Sequence, residues 1–137
     1  MGEEIHAEVK NRGLLEKDPL LGAALVDMYA KCNALGKAQQ IFDRLPLRDV
    51  ASWNALITGY AHQGQAQEAL MCFKQMQREN LSPNEVTFAS VLKACGNAES
   101  IDMGKQVHKE IINKGLLKKN IVLGTALVDM YSKCGMT

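Results

Sequence analysis

The sequence repeats itself at an offset of 102 residues, and this feature constrains the fold more than any other. Aligning residues 1–35 with residues 103–137 gives 19 identities in 35 positions. One shared run, Ala24–Tyr29, returns as Ala126–Tyr131. A repeat this long in a chain of 137 residues predicts a stack of similar structural units.

The apolar residues follow helical spacing, and the alternation typical of strands is absent. Residues 50–84 show the pattern most clearly, with two apolar stripes separated by Gly64 and ending before Pro83. Proline cannot continue a helix, so the second stripe stops there. The stripes consist of Trp53, Leu56, Ile57, Tyr60 and Ala61, then Ala66, Ala69, Leu70, Phe73 and Met76. This segment is predicted to be a helix–turn–helix unit of 35 residues.

Two other segments have the same plan, residues 19–49 with 31 residues and residues 85–120 with 36 residues. Residues 1–18 then form the second half of a long unit, and residues 121–137 form the first half of a short one. One hairpin cannot bury its apolar face alone, so neighbouring units must stack. We therefore predict an all-α fold, an α-solenoid whose first helices form one surface and whose second helices form the other.

The composition argues against several classes of function. The formal net charge is +1, so no bulk basic field indicates nucleic acid or membrane. No apolar run approaches the roughly 20 residues that cross a bilayer, and no membrane partner is expected. The four cysteines are predicted to be structural thiols in a reducing compartment. The three histidines have no second ligand one helical turn away, so neither a metal site nor another cofactor is predicted.

The sequence also contains no recognisable catalytic constellation. The H-x-E and P-C-x-x-C signature of zinc deaminases is absent, and the glycines form no phosphate-binding loop. The clustered carboxylates Glu3, Glu4 and Glu8 have the spacing of a solvated helix face. We therefore expect no enzymatic activity from these residues.

The run from Ser52 to Tyr60, together with Glu68-Ala69-Leu70 and Pro83-Asn84, resembles a pentatricopeptide repeat. The alternation of 31, 35 and 36 residues is similar to the plant PLS subclass. Tetratricopeptide repeats fit less well, because Ile57 stands where their pattern has glycine and their period is about 34 residues. The resemblance implies a right-handed superhelix that binds single-stranded RNA in mitochondria or chloroplasts. It also implies a role in RNA editing or processing, with editing cofactor proteins as partners.

The resemblance also assigns residues to RNA recognition. In the family, the residue at the position of Asn54 reads a base together with the last residue of its repeat, here Asn84. The Asn/Asn combination resembles the family's preference for pyrimidines. The equivalent base-reading positions are Ala23 with Asp49, Ala89 with Asn120, and Thr125, whose partner lies beyond the C-terminus. The base-stacking positions, three residues before each first reader, are Leu20, Ala51, Val86 and Val122.

Structural alternatives exist for each of these residues. Asn54 could cap or solvate its helix, and Asn84 could cap the next one, as asparagine commonly does. The stacking positions could serve ordinary packing between repeats. Alanine cannot hydrogen-bond a base edge, so Ala23 and Ala89 are expected to read poorly. We expect the chain to bind RNA weakly, with a dissociation constant of roughly 10⁻⁴–10⁻⁶ M.

A second class of function is a protein-binding scaffold whose groove holds a partner peptide or helix, as tetratricopeptide arrays do. The near-neutral charge and the two alanine readers favour it, whereas the Asn54/Asn84 pair favours RNA. We interpret the chain as a piece of a longer array. Its terminal half-units would each lack a neighbour, so we also expect end-to-end self-association of the isolated chain.

Overall fold

The structure is a computed structural model that describes residues 19–45, 48–118 and 120–135. These residues form seven α-helices and no β-strand, which confirms the predicted all-α fold. The helices are α1 (Pro19–Lys31), α2 (Leu35–Arg44), α3 (Val50–His62), α4 (Ala66–Arg78), α5 (Glu85–Ala98), α6 (Ile101–Asn113) and α7 (Ile121–Lys133). The predicted half-unit 1–18 lies outside the described residues.

Three of the first helices begin at a side-chain cap. The carboxylate of Asp49 accepts a hydrogen bond from the Ser52 backbone N–H at 2.9 Å, at the start of α3. The side-chain oxygen of Asn84 does the same for α5, and that of Asn120 for α7. Each cap satisfies one of the N–H groups that the first turn of a helix leaves without a partner. These capping residues stand at the last position of each predicted unit.

Within each hairpin, the first helix ends at a residue in the left-handed conformation. Asn33, Gly64 and Glu99 have φ angles of 64°, 78° and 53°. The next residue then donates its backbone N–H to a carbonyl one turn back, as Gln65 does to Tyr60 at 2.9 Å. This geometry reverses the chain and places the second helix against the first.

The helices form two layers. The first helices α1, α3, α5 and α7 pack side by side in chain order. Each second helix packs on the first helix of its own unit and on the first helix of the next unit. This arrangement is the predicted one, with first helices along one surface. Within the described residues, no helix is long and apolar enough to cross a membrane.

Aromatic pairs connect neighbouring units within one continuous core. Phe42 and Trp53 meet edge to face with ring centroids 4.5 Å apart, and Phe73 and Phe88 do so at 6.4 Å. All four side chains are at most 2% exposed. Gly59 lets α3 approach α1 closely, since a Cβ there would lie 2.8 Å from the Cβ of Ala30.

One apolar residue departs from the predicted pattern. The helical spacing of Leu21, Leu25, Met28 and Tyr29 predicts one core-facing stripe, but Met28 is 42% exposed. Its repeat equivalent Met130 is 1% exposed, because it packs against Gly104 of the preceding unit. The segment equivalent to that preceding unit lies within residues 1–18, outside the described part of the chain. Burial at this position therefore depends on the unit before it.

Candidate nucleic-acid interface

Seven of the predicted site residues line clefts in the first-helix layer, and we call this surface the groove; they are Ala23, Ala51, Asn54, Val86, Ala89, Val122 and Thr125. Asp49, Asn84 and Asn120 cap first helices and line neither cleft. Two open clefts follow it, of about 480 Å³ and about 610 Å³. Both fall in the range of about 300–1,000 Å³ that is usual for small-ligand sites. The first cleft contains Ala23, Asp27, Lys31, Ala51, Asn54, Thr58 and Val86, among others, and the second contains Ala89, Lys93, Ile121, Val122, Thr125 and Asp129.

Asn54 and Asn84, the strongest predicted base-reading pair, are in direct contact. The amide nitrogen of Asn54 donates to the amide oxygen of Asn84 at 2.9 Å. The amide oxygen of Asn54 accepts a hydrogen bond from the Thr87 hydroxyl. Asn54 is only 8% exposed, so the alternative that it caps or solvates its own helix is wrong. Its amide is held in a network that joins two units.

Asn84 has two structural roles and one free group. Its side-chain oxygen caps α5 by accepting from the Thr87 backbone N–H at 3.2 Å, so the capping alternative for this residue is correct. The same oxygen accepts from Asn54. The amide nitrogen of Asn84 has no hydrogen-bond partner among the described residues, and the residue is exposed. That nitrogen therefore has two N–H donors without a partner among the described residues.

The other predicted pairs form no such contact. Asp49 makes a capping box with Ser52, and the methyl group of Ala23 offers it no hydrogen bond. Asn120 caps α7, and its amide nitrogen donates to Glu85 instead of facing Ala89. The structure therefore brings one predicted pair together through hydrogen bonds and leaves two without them.

Thr125 and the predicted stacking residues lie at the surface of the groove. Thr125 and Ala51 are exposed, and Val86 and Val122 are 54% and 65% exposed. Leu20 belongs to α1, but its side chain lies outside the described part of the structure. Ala51 and Val86 line the same cleft as Asn54. Ala51 shares α3 with Asn54, and Val86 belongs to the neighbouring helix α5. Ordinary packing between the described repeats does not account for these exposed valines.

Charges in the groove are largely paired. Lys31 and Asp27 are 2.9 Å apart, and Lys133 and Asp129 are 3.2 Å apart, each one turn apart on a helix. The hydrogen bond to Asp27, and then its charge, raise the pKa of Lys31 above its ordinary value. Lys93 is exposed and makes no ion pair with the described residues. The groove thus offers little free positive charge for attracting phosphate.

Sequence reasoning missed several polar residues that organise the groove. Thr87 and Ser52 stand three residues after Asn84 and Asp49, and each completes a capping box. This spacing of a capping residue and a hydroxyl is the signal that could have revealed them. Thr58 and Ser90 also share a hydrogen bond of 2.7 Å between α3 and α5. No comparable sequence signal identifies that contact, because its residues lie 32 positions apart.

The described residues offer little reactive chemistry. They contain no group of three or more side chains suited to hold a metal ion. Burial raises the pKa of the Cys72 thiol to about 11 and that of Cys95 to about 12. Both side chains therefore stay protonated near neutral pH, in the poorly nucleophilic form of cysteine.

Known proteins share this sequence pattern and this fold. A model of the PPR repeat family matches residues 48–97, and a PPR repeat model matches residues 86–116. A pentatricopeptide repeat-containing protein of Arabidopsis thaliana is 41% identical over 133 residues, which are 97% of this chain and 19% of that protein. Two others from the same plant, named chloroplastic and mitochondrial, are 40% and 42% identical over 98% and 89% of this chain, or 22% and 13% of their own length.

A solved structure gives an independent comparison. The crystal structure of the pentatricopeptide repeat protein PPR10 from maize superposes with a TM-score of 0.71 and 26% identity. The superposition covers 98% of this chain and 20% of that protein. The chain spans between 13% and 22% of the length of these relatives. The matched repeats, the relatives and the stacked hairpins together place this chain in the pentatricopeptide repeat family.

Proposed function

We propose that this chain binds single-stranded RNA along the groove, with the Asn54–Asn84 pair as its principal base-reading site. The observation that supports this most directly is the hydrogen bond of 2.9 Å between the two amides, because one of them, Asn54, lines an open cleft. Single-stranded bases can present their hydrogen-bonding edges to such a repeat, one base for each unit. The proposal assigns Ala23 with Asp49, Ala89 with Asn120, and Thr125 to weaker contacts.

The free groups of the pair favour particular bases. The two N–H groups of Asn84 can donate only to acceptors. Uracil, cytosine and guanine each carry a carbonyl oxygen on their pairing edge that suits these donors. Among these bases, the Asn/Asn combination resembles the one for which the family prefers pyrimidines. The exposed side chains of Ala51 and Val86 flank the pair and can contact the two faces of the same base. We therefore propose a pyrimidine at this position.

The affinity of the isolated chain should be low. The paired lysines reduce the number of phosphates that the groove can neutralise, and counterion release supplies much of the affinity for nucleic acids. The single Asn54–Asn84 pair adds only a small increment to the affinity for RNA. We propose that the chain works as part of a longer protein in a mitochondrion or chloroplast. There the full array would select a transcript for editing or processing, together with editing cofactor proteins.

Fluorescence anisotropy with labelled single-stranded RNA tests the proposal. Four oligonucleotides would carry each base in turn at one central position, at low salt. We expect cytosine or uracil to bind more tightly than adenine or guanine by about threefold to tenfold, the range for one hydrogen bond. Asn54→Ala should remove the preference, whereas Met71→Ala, on the exposed side of α4, should not. Equal binding of all four bases by the unaltered chain would contradict the proposal.

A protein-binding scaffold remains the second candidate, and the second cleft favours it. Ile121 and Val122 are 87% and 65% exposed there, which is unusual for large apolar side chains. An amphipathic helix or an extended peptide could cover them. Absence of any RNA binding at low salt, with Ile121→Asp abolishing the capture of a partner peptide, would favour this function.

A further inference from the structure

We propose that Thr87 is a positioning residue that sets the orientation of the Asn54 amide, and thereby decides which hydrogen-bonding groups the Asn54–Asn84 pair presents to a base. This inference rests on the proposed function, because it concerns the selectivity of the same pair. Thr87 belongs to the next unit, is 0% exposed and does not line either cleft. It would therefore act on the base only through the two asparagines.

The orientation of both amides follows from one backbone group. The Thr87 backbone N–H can only donate, so the atom of Asn84 that lies 3.2 Å from it must be the amide oxygen. The atom of Asn54 that faces this oxygen at 2.9 Å must then be its amide nitrogen. The remaining atom of Asn54 is its oxygen, and it faces the Thr87 hydroxyl.

The Thr87 hydroxyl completes the network. It accepts a hydrogen bond from the Asn84 backbone N–H at 3.1 Å. Two acceptors lie within reach of its single proton, the Asn84 side-chain oxygen at 3.1 Å and the Asn54 oxygen, which is nearer and takes the proton. If the Asn54 amide turned over, its nitrogen would meet the hydroxyl and its oxygen would face the Asn84 oxygen. Two acceptors would then oppose each other in a largely buried place. The observed orientation is therefore held by the Thr87 backbone N–H, through the Asn84 oxygen, and by the Thr87 hydroxyl, through the Asn54 oxygen. Turning the Asn54 amide over would change the groups left for a base.

The chain contains a matched control for this role. Ser52 occupies the equivalent position one unit earlier and forms the same capping box, with Asp49. The reader position beside that box is Ala23, which has no amide to orient. Removing the Ser52 hydroxyl should weaken a helix cap without touching the Asn54–Asn84 pair. Removing the Thr87 hydroxyl should weaken the cap of α5 and should also disturb the Asn54–Asn84 pair.

Three variants of the full chain separate these effects. Thr87→Val removes the hydroxyl but keeps the branched shape, Thr87→Ser keeps the hydroxyl, and Ser52→Ala is the control. Thermal melting followed by circular dichroism should show a loss for both Thr87→Val and Ser52→Ala, because each loses one capping-box hydroxyl. The loss should be larger for Thr87→Val, which also leaves the buried Asn54 oxygen without that partner. In the RNA titrations, Thr87→Val should reduce the base preference by about threefold to tenfold. Thr87→Ser and Ser52→Ala should keep the preference of the unaltered chain.

A second measurement needs no RNA. The side-chain amide protons of Asn54 can be followed by NMR, through their exchange with water and the mobility of their nitrogen. In the unaltered chain and in Thr87→Ser these protons should exchange slowly. In Thr87→Val the amide loses the hydrogen bond at its oxygen and can turn away from Asn84 more often. Exchange of the proton that Asn54 donates to Asn84 should therefore accelerate by about threefold to tenfold.

The outcomes distinguish this inference from the proposed function. Unchanged base preference and unchanged amide exchange in a folded Thr87→Val would overturn the role of Thr87. If Thr87→Val does not fold, the serine variant decides. Loss of the base preference in a Thr87→Ser variant that melts normally overturns the role of Thr87, and retention of the preference supports that role. If the unaltered chain shows no base preference at all, the proposed function fails. The amide exchange in Thr87→Val then still supports or overturns the positioning role.

Discussion

The two junctions between the three complete units share their packing but not their polar contacts. We call the junction between units 19–49 and 50–84 the first junction, and that between units 50–84 and 85–120 the second. An edge-to-face aromatic pair crosses each of them, and a capping box lies at each. Both junctions therefore use the same devices to join one unit to the next.

The difference between the junctions lies in the groove. In the second junction, Asn54 reaches Asn84 and Thr87, and Thr58 reaches Ser90. The equivalent positions of the first junction include Ala23 and Ala55, whose side chains cannot form hydrogen bonds. Packing and groove chemistry are thus carried by separate residues. A unit can gain or lose polar contacts in the groove while the solenoid keeps its shape.

The largest expected effect comes from breaking what the junctions share. Phe42→Ala and Phe73→Ala each remove a buried ring at the same repeat position, and each should lower the free energy of unfolding by about 3–5 kcal/mol. Urea denaturation followed by circular dichroism measures both losses. Met71→Ala, at a position 65% exposed, should change the free energy by about 0.5 kcal/mol or less. If one of the two variants loses less than half as much free energy of unfolding as the other, the junctions are not equivalent.

A smaller effect should come from the hydroxyl pair found in the second junction. Ser90 is 7% exposed, and its hydroxyl contacts that of Thr58 at 2.7 Å. Thr58→Ala leaves the Ser90 hydroxyl buried without its partner, which should cost about 1–3 kcal/mol in the free energy of unfolding. The double variant Thr58→Ala with Ser90→Ala should cost less than the sum of the single variants. Additive losses would mean that the two hydroxyls do not stabilise each other.

The smallest effect should come from building the missing reader into the first junction. In Ala23→Asn, an amide nitrogen would face the Asp49 carboxylate and its oxygen would face the Ser52 hydroxyl, as in the second junction. We expect RNA to bind more tightly by about threefold, a modest hydrogen-bond increment, in the same anisotropy titration. Ala23→Leu has a similar volume and no hydrogen-bonding group. If the leucine variant tightens binding equally, filling of the cleft and not the amide is responsible.

Much of this architecture could be predicted from local patterns. Helical spacing of apolar residues predicted the helices, because a helix must bury one stripe. The glycine and proline positions predicted where they end. The contact that organises the groove could not be predicted in the same way, since Thr87 lies 33 residues from Asn54. A capping motif predicts how a helix starts, but it does not say which other side chain will meet its hydroxyl.

Burial, too, could not be predicted from the local sequence, as the two repeated segments of the chain show. Val26 and Val128 occupy equivalent positions in the run that occurs twice, as Ala24–Tyr29 and as Ala126–Tyr131. Their side chains are 0% and 71% exposed. Val26 belongs to the continuous buried core, whereas Val128 lines an apolar cleft that the described residues leave open. Identical segments therefore have different environments, and the neighbouring units set that difference.

The sequence by itself determined the repeat, the helical hairpins and the positions that face the groove, because these follow from periodic properties of neighbouring residues. Only the tertiary structure decided which apolar faces are covered and which polar side chains meet. Those contacts join residues of different units, and their geometry depends on how closely the stacked helices approach. For this member of the pentatricopeptide repeat family, the stacking therefore determines how the Asn54 and Asn84 amides are held in the groove.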